Sequence, residues 1–563
     1  MSVFIGYPSF MAYQMMKGKK DNNDGFPSIP GMIARYSALG LTNEQMAANP
    51  VWVDKTGNGH DLQMKNFAWK EGSGISDVYL GALVFDGVDD YGTCDNFPIL
   101  TKEKGYTVVA LRKWLTPENK TDNEVLVANL KNRGWKLKHG GAWGAFGCEI
   151  KYNNTNPKMT RTLSFGNMPV INVNENNVLL CQTSNNYNGV DIASDNDTGG
   201  PYLLICSRGE SLFANAAIWE LIILDHDATE EELTKIKDYF VKTYPWLFPD
   251  QAWTVVGKTN EDEDRATIAN ITGNGNDLIL SNFGFAEGSG YGLYAENYAG
   301  GRWVQATGRA DLTWTSYSVN ITSVKVASTQ LYYQSYPEQP SFTVPSYKIK
   351  VYGLKDGQTL SYKQVTSEGQ QIYKISEDGI YTLPSFLFKA NGDWYGFTLN
   401  KVQESCDITI KQIPEYEGYL MTDGVDDTGR AVGLTISKDF TLVGEWILFS
   451  KTSVNAGLSI HPQIHIFNRP EAIQIVFRTA DKTLPVKSLK AICSDGRCYD
   501  ENWSELKINV GEFTNNKGTL FVASNGTNYA QIAFKNLGIY DNHILSKDDC
   551  IKAYNYLQTL KAK

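Results

Sequence analysis

Short apolar runs broken by glycine, asparagine and aspartate dominate this chain. Segments 82–85, 106–111, 202–205 and 218–224 are each of strand length and bounded by turn-forming residues. Further on the pattern becomes an alternation: Tyr347, Ile349 and Val351 are separated by Lys348 and Lys350, and Ile408 and Ile410 by Thr409, with Lys411 next. Successive side chains of a strand point to opposite faces, so these segments bury one face and wet the other. Helical spacing is confined to two places. Leu233, Ile236 and Phe240 follow a capping box of Thr229 and Glu232, and Ile551, Tyr554, Tyr556 and Leu557 follow a looser version made by Ser546 and Asp549. Each helix is predicted to lay that face on a sheet. Many short strands with few helices predict an all-β fold of antiparallel sandwiches.

The turn-rich stretches occur twice. DKTGNGHDLQMKNFAWKEGSGI begins at Asp54 and NITGNGNDLILSNFGFAEGSGY at Asn270, an offset of 272 − 56 = 216 at the shared threonine. DGVDD begins at Asp86 and again at Asp423, an offset of 423 − 86 = 337. The offset therefore grows by 337 − 216 = 121 residues inside one repeat, so the second copy carries an insertion the size of a small domain. GLTNE at Gly40 and GKTNE at Gly257 extend the match upstream, and each copy closes with an apolar strand and a capped helix. The expected layout is an N-terminal arm and linker (1–30), a first module (31–250), a discontinuous second module (251–301 and 420–563) and an inserted β-sandwich (302–419) projecting from it. Val3, Phe4, Ile5, Phe10, Met11, Met15 and Met16 give the arm an apolar character, but it is too short to fold alone and must dock on this chain or on a partner. KGKKDNNDG and the PSIP that follows read as a flexible joint.

A length of 563 residues agrees with three or four domains. The net charge of −10 weighs against a surface that neutralises a phosphate backbone, so no nucleic-acid partner is expected. No apolar run approaches a membrane span, and none of the first residues forms a secretory signal, because the lysines follow the apolar part instead of preceding it. Export by the Sec route is not expected. Eight cysteines are scattered, with only Cys493 and Cys498 close together and no second pair or suitably spaced histidines to complete a zinc site. They read as thiols in a reduced compartment.

Few residues offer chemistry. Asp86, Asp89 and Asp90 could give oxygens to calcium, yet Gly87 and short aspartates also make a tight turn, and the turn is the stronger reading. TGNGHD lacks the Lys-Ser/Thr of a phosphate loop and does not open a helix, so it too reads as a turn. The acids Glu261, Asp262, Glu263 and Asp264 have no counterpart in the first copy beyond Glu44, which argues against a shared glycosidase pair. His461 and His465 have the spacing of a helical zinc pair, but Pro462 breaks such a helix, and they read as structural. No catalytic residue, metal site or cofactor is assigned. For a sugar site, Trp143 in a glycine-flanked loop, with Tyr152 and Asn153 after a short strand, supplies a ring face and an amide, although Trp143 covering the core edge is the stronger reading.

TGNGxD–NF–EGSG, then FDGVDDY, then the closing strand and capped helix, together resemble the concanavalin A-like, laminin G-type jelly-roll domain in the form common among gut Bacteroidetes and their phages. YKIKVYGL, DGIYTLP and CDITIKQIP resemble the β domain often embedded in such proteins. The resemblance runs from about residue 31 to the C-terminus and departs from the pattern at Thr428, where the first copy has Tyr91. It implies two jelly rolls, the second interrupted, similar to the head-fibre or tail-fibre proteins of crAss-like phages. The expectation that follows is a non-enzymatic virion protein, a head fibre or capsid decoration, assembled in the host cytoplasm and displayed on the particle surface. It would be anchored to capsid or fibre subunits by its arm, would form homo-oligomers, and would bind host or mucus glycans. A receptor-binding tail fibre or a soluble lectin is the alternative, and a glycoside hydrolase ranks below both.

Overall fold

The computed structural model describes residues 24–562, apart from 101–103, 116–123, 130–135, 140–178, 184–200, 208, 210, 301, 306–308, 336–338, 356, 390–391, 402–404, 450–454, 470–471, 515 and 526–528. Among the described residues the protein is all-β with antiparallel pairing throughout, apart from three α-helices and short turns. Two compact units divide it: Met1–Pro249 with Ser546–Leu560, and Asp250–Leu545 with Lys561–Lys563.

Among its described residues the first unit contains two six-stranded sheets. The long closing strand of the repeat, Asn215–Leu224, lies between Thr107–Trp114 and Leu83–Asp86, with Ile222 opposite Val109 and Ala217 opposite Val84. Met32–Ser37 also pairs with it. Its residues from Ala216 to Leu224 are buried, which is why this stretch reads as a continuous apolar run instead of an alternation. Glu220 interrupts that run at 0% exposure. It accepts hydrogen bonds from Arg35 Nε (3.0 Å), Arg35 Nη2 (3.2 Å) and the Tyr244 hydroxyl (2.8 Å). Arg35 Nη1 reaches Asp24 at 2.7 Å, and Phe26 lies against the guanidinium at 4.0 Å. A buried guanidinium keeps five N–H donors to satisfy, and one glutamate cannot take them all. That need fixes residues 24–26 on the module, where the sequence suggested a loose joint.

In the second unit the equivalent closing strand, Ile532–Asp541, pairs with Phe440–Leu448, Glu415–Met421 and Gln251–Thr254. This eight-stranded sheet and a second one, running from Thr267–Ile268 to Ala480–Leu484, contribute to one core that includes Trp253, Phe440, Trp446, Phe477 and Phe534. Strands between Trp303 and Ile413 make two five-stranded sheets and a two-stranded pair with a separate core. Tyr347–Tyr352 alternates buried and exposed residues strictly, as its sequence predicts. This core draws in Tyr298, upstream of the expected boundary at 302.

Helix α1 (Asn43–Ala48) has a complete capping box of Thr42 and Gln45, and α2 (Glu230–Thr243) one of Thr229 and Glu232. The α2 face is as predicted, with Leu233, Ile236 and Phe240 buried. In α3 (Lys547–Gln558) the buried residues are Cys550, Ala553, Tyr556 and Leu557, so the face is rotated from the predicted one, and Ile551 and Tyr554 are half-buried. The expected second module ran to residue 563, but α3 belongs to the first unit. There Lys113 Nζ donates to the Thr559 carbonyl at 3.0 Å, and Lys552 Nζ sits 4.1 Å from the Trp246 ring centre. Small residues at 550 and 553 allow close approach where larger ones would hold the helix off.

Candidate functional site

The repeated motifs prove to be clasps. Asp54 accepts the backbone N–H of Arg35 (3.1 Å) and of Thr56 (3.0 Å), while Asp61 accepts the N–H of Asp54 (2.9 Å). In the second copy Asn270 accepts from Ala252 (3.1 Å) and Thr272 (3.2 Å), and Asp277 accepts from Asn270 (2.8 Å). One acceptor oxygen does the same work in both copies, while the second atom differs: Asp54 Oδ2 accepts the His60 N–H at 3.3 Å and Asn270 Nδ2 donates to the Gly275 carbonyl at 2.6 Å. Downstream, Asn43 Oδ1 accepts the Ile75 N–H at 2.7 Å, and Asn260 Oδ1 accepts the Tyr291 N–H at 2.7 Å. A Cβ on Gly74 would lie 2.3 Å from that Asn43 oxygen and one on Gly290 2.4 Å from that of Asn260. The glycine of EGSG is therefore fixed by the asparagine of TNE.

DGVDD is a turn in both copies. Asp86 Oδ1 accepts the N–H groups of Val88 (2.7 Å) and Asp89 (3.2 Å), and Asp90 Oδ2 accepts that of Asp86 (3.1 Å). Asp423 and Asp427 repeat this at 2.7 and 2.8 Å, and Ser289 Oγ donates to Asp427 at 3.0 Å. Burial pushes the carboxyl pKa of Asp90 and of Asp427 up to about 6. One oxygen from each aspartate of a copy falls within 4.8 Å of the others, so each trio could give three ligands to a cation. Several of those oxygens already serve the turn.

The remaining candidates separate. Trp143, Tyr152 and Asn153 lie outside the described residues. His461 and His465 sit on paired strands, with ring centres 5.5 Å apart. Asp262 accepts the Thr259 N–H and hydroxyl at 2.8 and 2.7 Å, and Asp264 pairs with Lys258 at 2.6 Å, so two members of the acidic run serve local structure. Cys94, Cys206, Cys406, Cys493, Cys498 and Cys550 are buried free thiols.

A cleft of about 530 Å³ in the second unit is the feature that sequence reading missed. It is lined by Tyr294, Tyr317 and Tyr352 with Lys258, Lys350 and Lys411. The Tyr294 and Tyr317 rings stack, with centres 4.7 Å apart at 19°. Lys411 Nζ lies 5.8 Å from the Tyr317 ring centre and Lys350 Nζ 6.0 Å from that of Tyr352. Tyr352 is 43% exposed and Ile380 beside it 64%. Burial, then Glu417 and Glu261, push the Tyr294 pKa up to about 12, and burial, then Glu261, which takes a hydrogen bond from its hydroxyl, raise that of Tyr317, so both phenols stay neutral at physiological pH. The alternation at 347–352 and 408–411 marked the wet face. Its juxtaposition with Tyr294, Tyr317 and Lys258 depends on the tertiary fold.

A second cleft of about 370 Å³ is lined by Gln364, Gln371, Glu368, Lys389 and Phe386. Its polar groups are largely committed to one another: Gln364 Nε2 donates to the Pro384 carbonyl, Gln371 accepts from Tyr373, and Lys389 pairs with Glu368.

No protein-family model matches the chain, and no curated protein matches it. Among solved structures, it is similar to a mutant Trypanosoma rangeli sialidase displaying trans-sialidase activity (9% identity, TM-score 0.18, covering 44% of this chain and 62% of that one). The tandem CBM22 domain of Paenibacillus barcinonensis Xyn10C is another (10% identity, TM-score 0.15, covering 45% and 99%). The triple-jelly-roll turret protein of an archaeal virus is a third (8% identity, TM-score 0.12, covering 43% and 60%). The chain thus spans about three fifths of the sialidase's length, and TM-scores this low carry no inference about its activity. The fold itself is that of an antiparallel β-sandwich protein.

Proposed function

We propose that this chain is a virion-surface display protein, a head fibre or decoration, whose second unit holds glycans in the tyrosine–lysine cleft. The cleft carries the glycan part of this reading. An exposed tyrosine ring offers a face to a pyranose, and neutral phenols and ammonium groups offer hydrogen bonds to its hydroxyls. Of the acids nearby, Asp262 and Asp264 are engaged in a turn and an ion pair, while Glu417 lines the cleft itself. The display part is supported by the sequence resemblance, the tandem sandwiches and the acidic composition. In this reading the N-terminal arm ahead of Asp24 docks to capsid or fibre subunits, and many copies make weak sites effective together. A glycan array probed with the full chain tests the site: Tyr352→Ala should weaken the best binder by roughly tenfold or more, and an array with no binder refutes it. Immunogold microscopy with antibody to residues 303–413 tests the location. Capsid label is expected; tail label would make the chain a receptor-binding fibre, and unlabelled particles would leave a soluble lectin.

A further inference from the structure

We infer that the cleft selects acidic oligosaccharides, with a sugar carboxylate or sulfate bridging Lys350 and Lys411; this rests on the glycan reading above. The two lysines are direct cross-strand partners, Lys350 in Tyr347–Tyr352 and Lys411 in Ser405–Ile413. Ser318 pairs with Lys411 on one side and Ile380 with Lys350 on the other, so one row across the sheet reads Ser318, Lys411, Lys350, Ile380. Asn320, Thr409 and Tyr352 form the neighbouring row.

Like charges directly opposite across a ladder repel, and such pairs are normally avoided or neutralised. Here neither ammonium is paired with a carboxylate among the described residues. Nearby acids are engaged elsewhere: Asp264 holds Lys258, and Asp407 accepts from Asn320 Nδ2 at 2.9 Å. Glu417 also lines the cleft and Glu261 acts on the Tyr294 and Tyr317 phenols there, but neither is paired with Lys350 or Lys411 among the described residues. An anionic group between Lys350 and Lys411 would relieve their repulsion and take a charge-assisted hydrogen bond from each. Tyr352 lies on the same strand face as Lys350, two residues on, so a sugar ring bearing that group is placed against an exposed aromatic face. A neutral sugar gains the ring contact but leaves the repulsion unrelieved. Carboxylate and sulfate both satisfy this chemistry.

The test is equilibrium binding of the full chain to matched oligosaccharide pairs that differ only in the acid: uronate against parent hexose, sialylated against desialylated, sulfated against unsulfated. The expected result is that the acidic members bind at least about tenfold tighter than their neutral partners and weaken with added salt. Lys350→Ala and Lys411→Ala should each erase that difference, while Lys482→Ala, on an exposed position of another sheet, should leave it intact. Whether uronate, sialylated or sulfated members bind identifies the acid. Equal binding of neutral and acidic members, or preference unaltered in both lysine variants, overturns this inference and leaves the glycan reading standing. Binding to no member overturns both.

Discussion

Glu296 should make the inserted sandwich lose stability as pH rises toward neutrality, and Glu296→Gln should remove that dependence. The side chain is 7% exposed and lies among the aromatic residues of the inserted core. It accepts the indole N–H of Trp303 at 3.1 Å and the hydroxyl of Tyr395 at 2.7 Å, while Gln412 clamps its backbone from both sides. Burial outweighs those two hydrogen bonds and pushes its pKa up to about 7 from 4.5. Unfolding releases the carboxyl to its ordinary value, so between these limits the folded state binds more protons than the unfolded one. The contribution is therefore fully present below pH 4.5 and lost as pH rises through about 7. A shift of this size corresponds to at most about 3 kcal/mol. Glutamine keeps the shape, presenting its oxygen to Trp303 and its amide N–H to the Tyr395 oxygen. Hydrogen exchange of peptides from 303–413 in the full chain, at about pH 4.5 and about pH 8 and corrected for intrinsic rates, reads the effect. Wild type should lose more protection between the two than the variant does. Asp250 and Asp427 are also raised by burial, to about 6, and titrate in the same direction, so the decisive quantity is wild type minus variant. Parallel profiles for the two proteins would refute the assignment.

Other consequences are as direct. Gly74→Ala and Gly290→Ala should each destabilise their unit by roughly 2 kcal/mol or more, from φ angles of 146° and 144° and collision with an asparagine oxygen; Gly284→Ala, whose Cβ meets nothing nearer than 3.7 Å, should cost little in the same thermal melt. Glu220→Gln should lower first-unit stability by roughly 3 kcal/mol because it strips the buried Arg35 of its main counter-charge, and denaturation monitored by exchange in 215–224 checks it. Because backbone N–H groups already occupy oxygens of Asp86, Asp90, Asp423 and Asp427, chelator should leave the melting temperature unchanged. A marked rise on adding calcium would instead show that the aspartate trios act as ligands.

Local pattern carried most of the strand assignment, since burial follows the alternation residue by residue in Tyr347–Tyr352 and the unbroken apolar run in Asn215–Leu224. It carried two of the helix starts for the same reason: a cap is settled within four residues. Helix α1 was missed, because six residues are too few for a periodic signal, although Thr42 and Gln45 form a capping box there. The candidate site was legible only by half. Lys350 and Lys411 stood out as wet-face residues, yet nothing in their spacing sets two lysines 61 positions apart (411 − 350) directly opposite each other.

By itself, then, the sequence determined what short-range sterics and hydrogen bonding decide: the duplication, the all-β class, the turns at TGNGxD and DGVDD, and the wet face of Tyr347–Tyr352. Tertiary structure decided what depends on long-range pairing. It placed α3 with the first unit, set Arg35 against Glu220 across 185 positions, and brought Tyr294 and Tyr317 beside the lysine pair. These contacts depend on strand register and on burying charges with a partner, and both are settled only when distant segments meet.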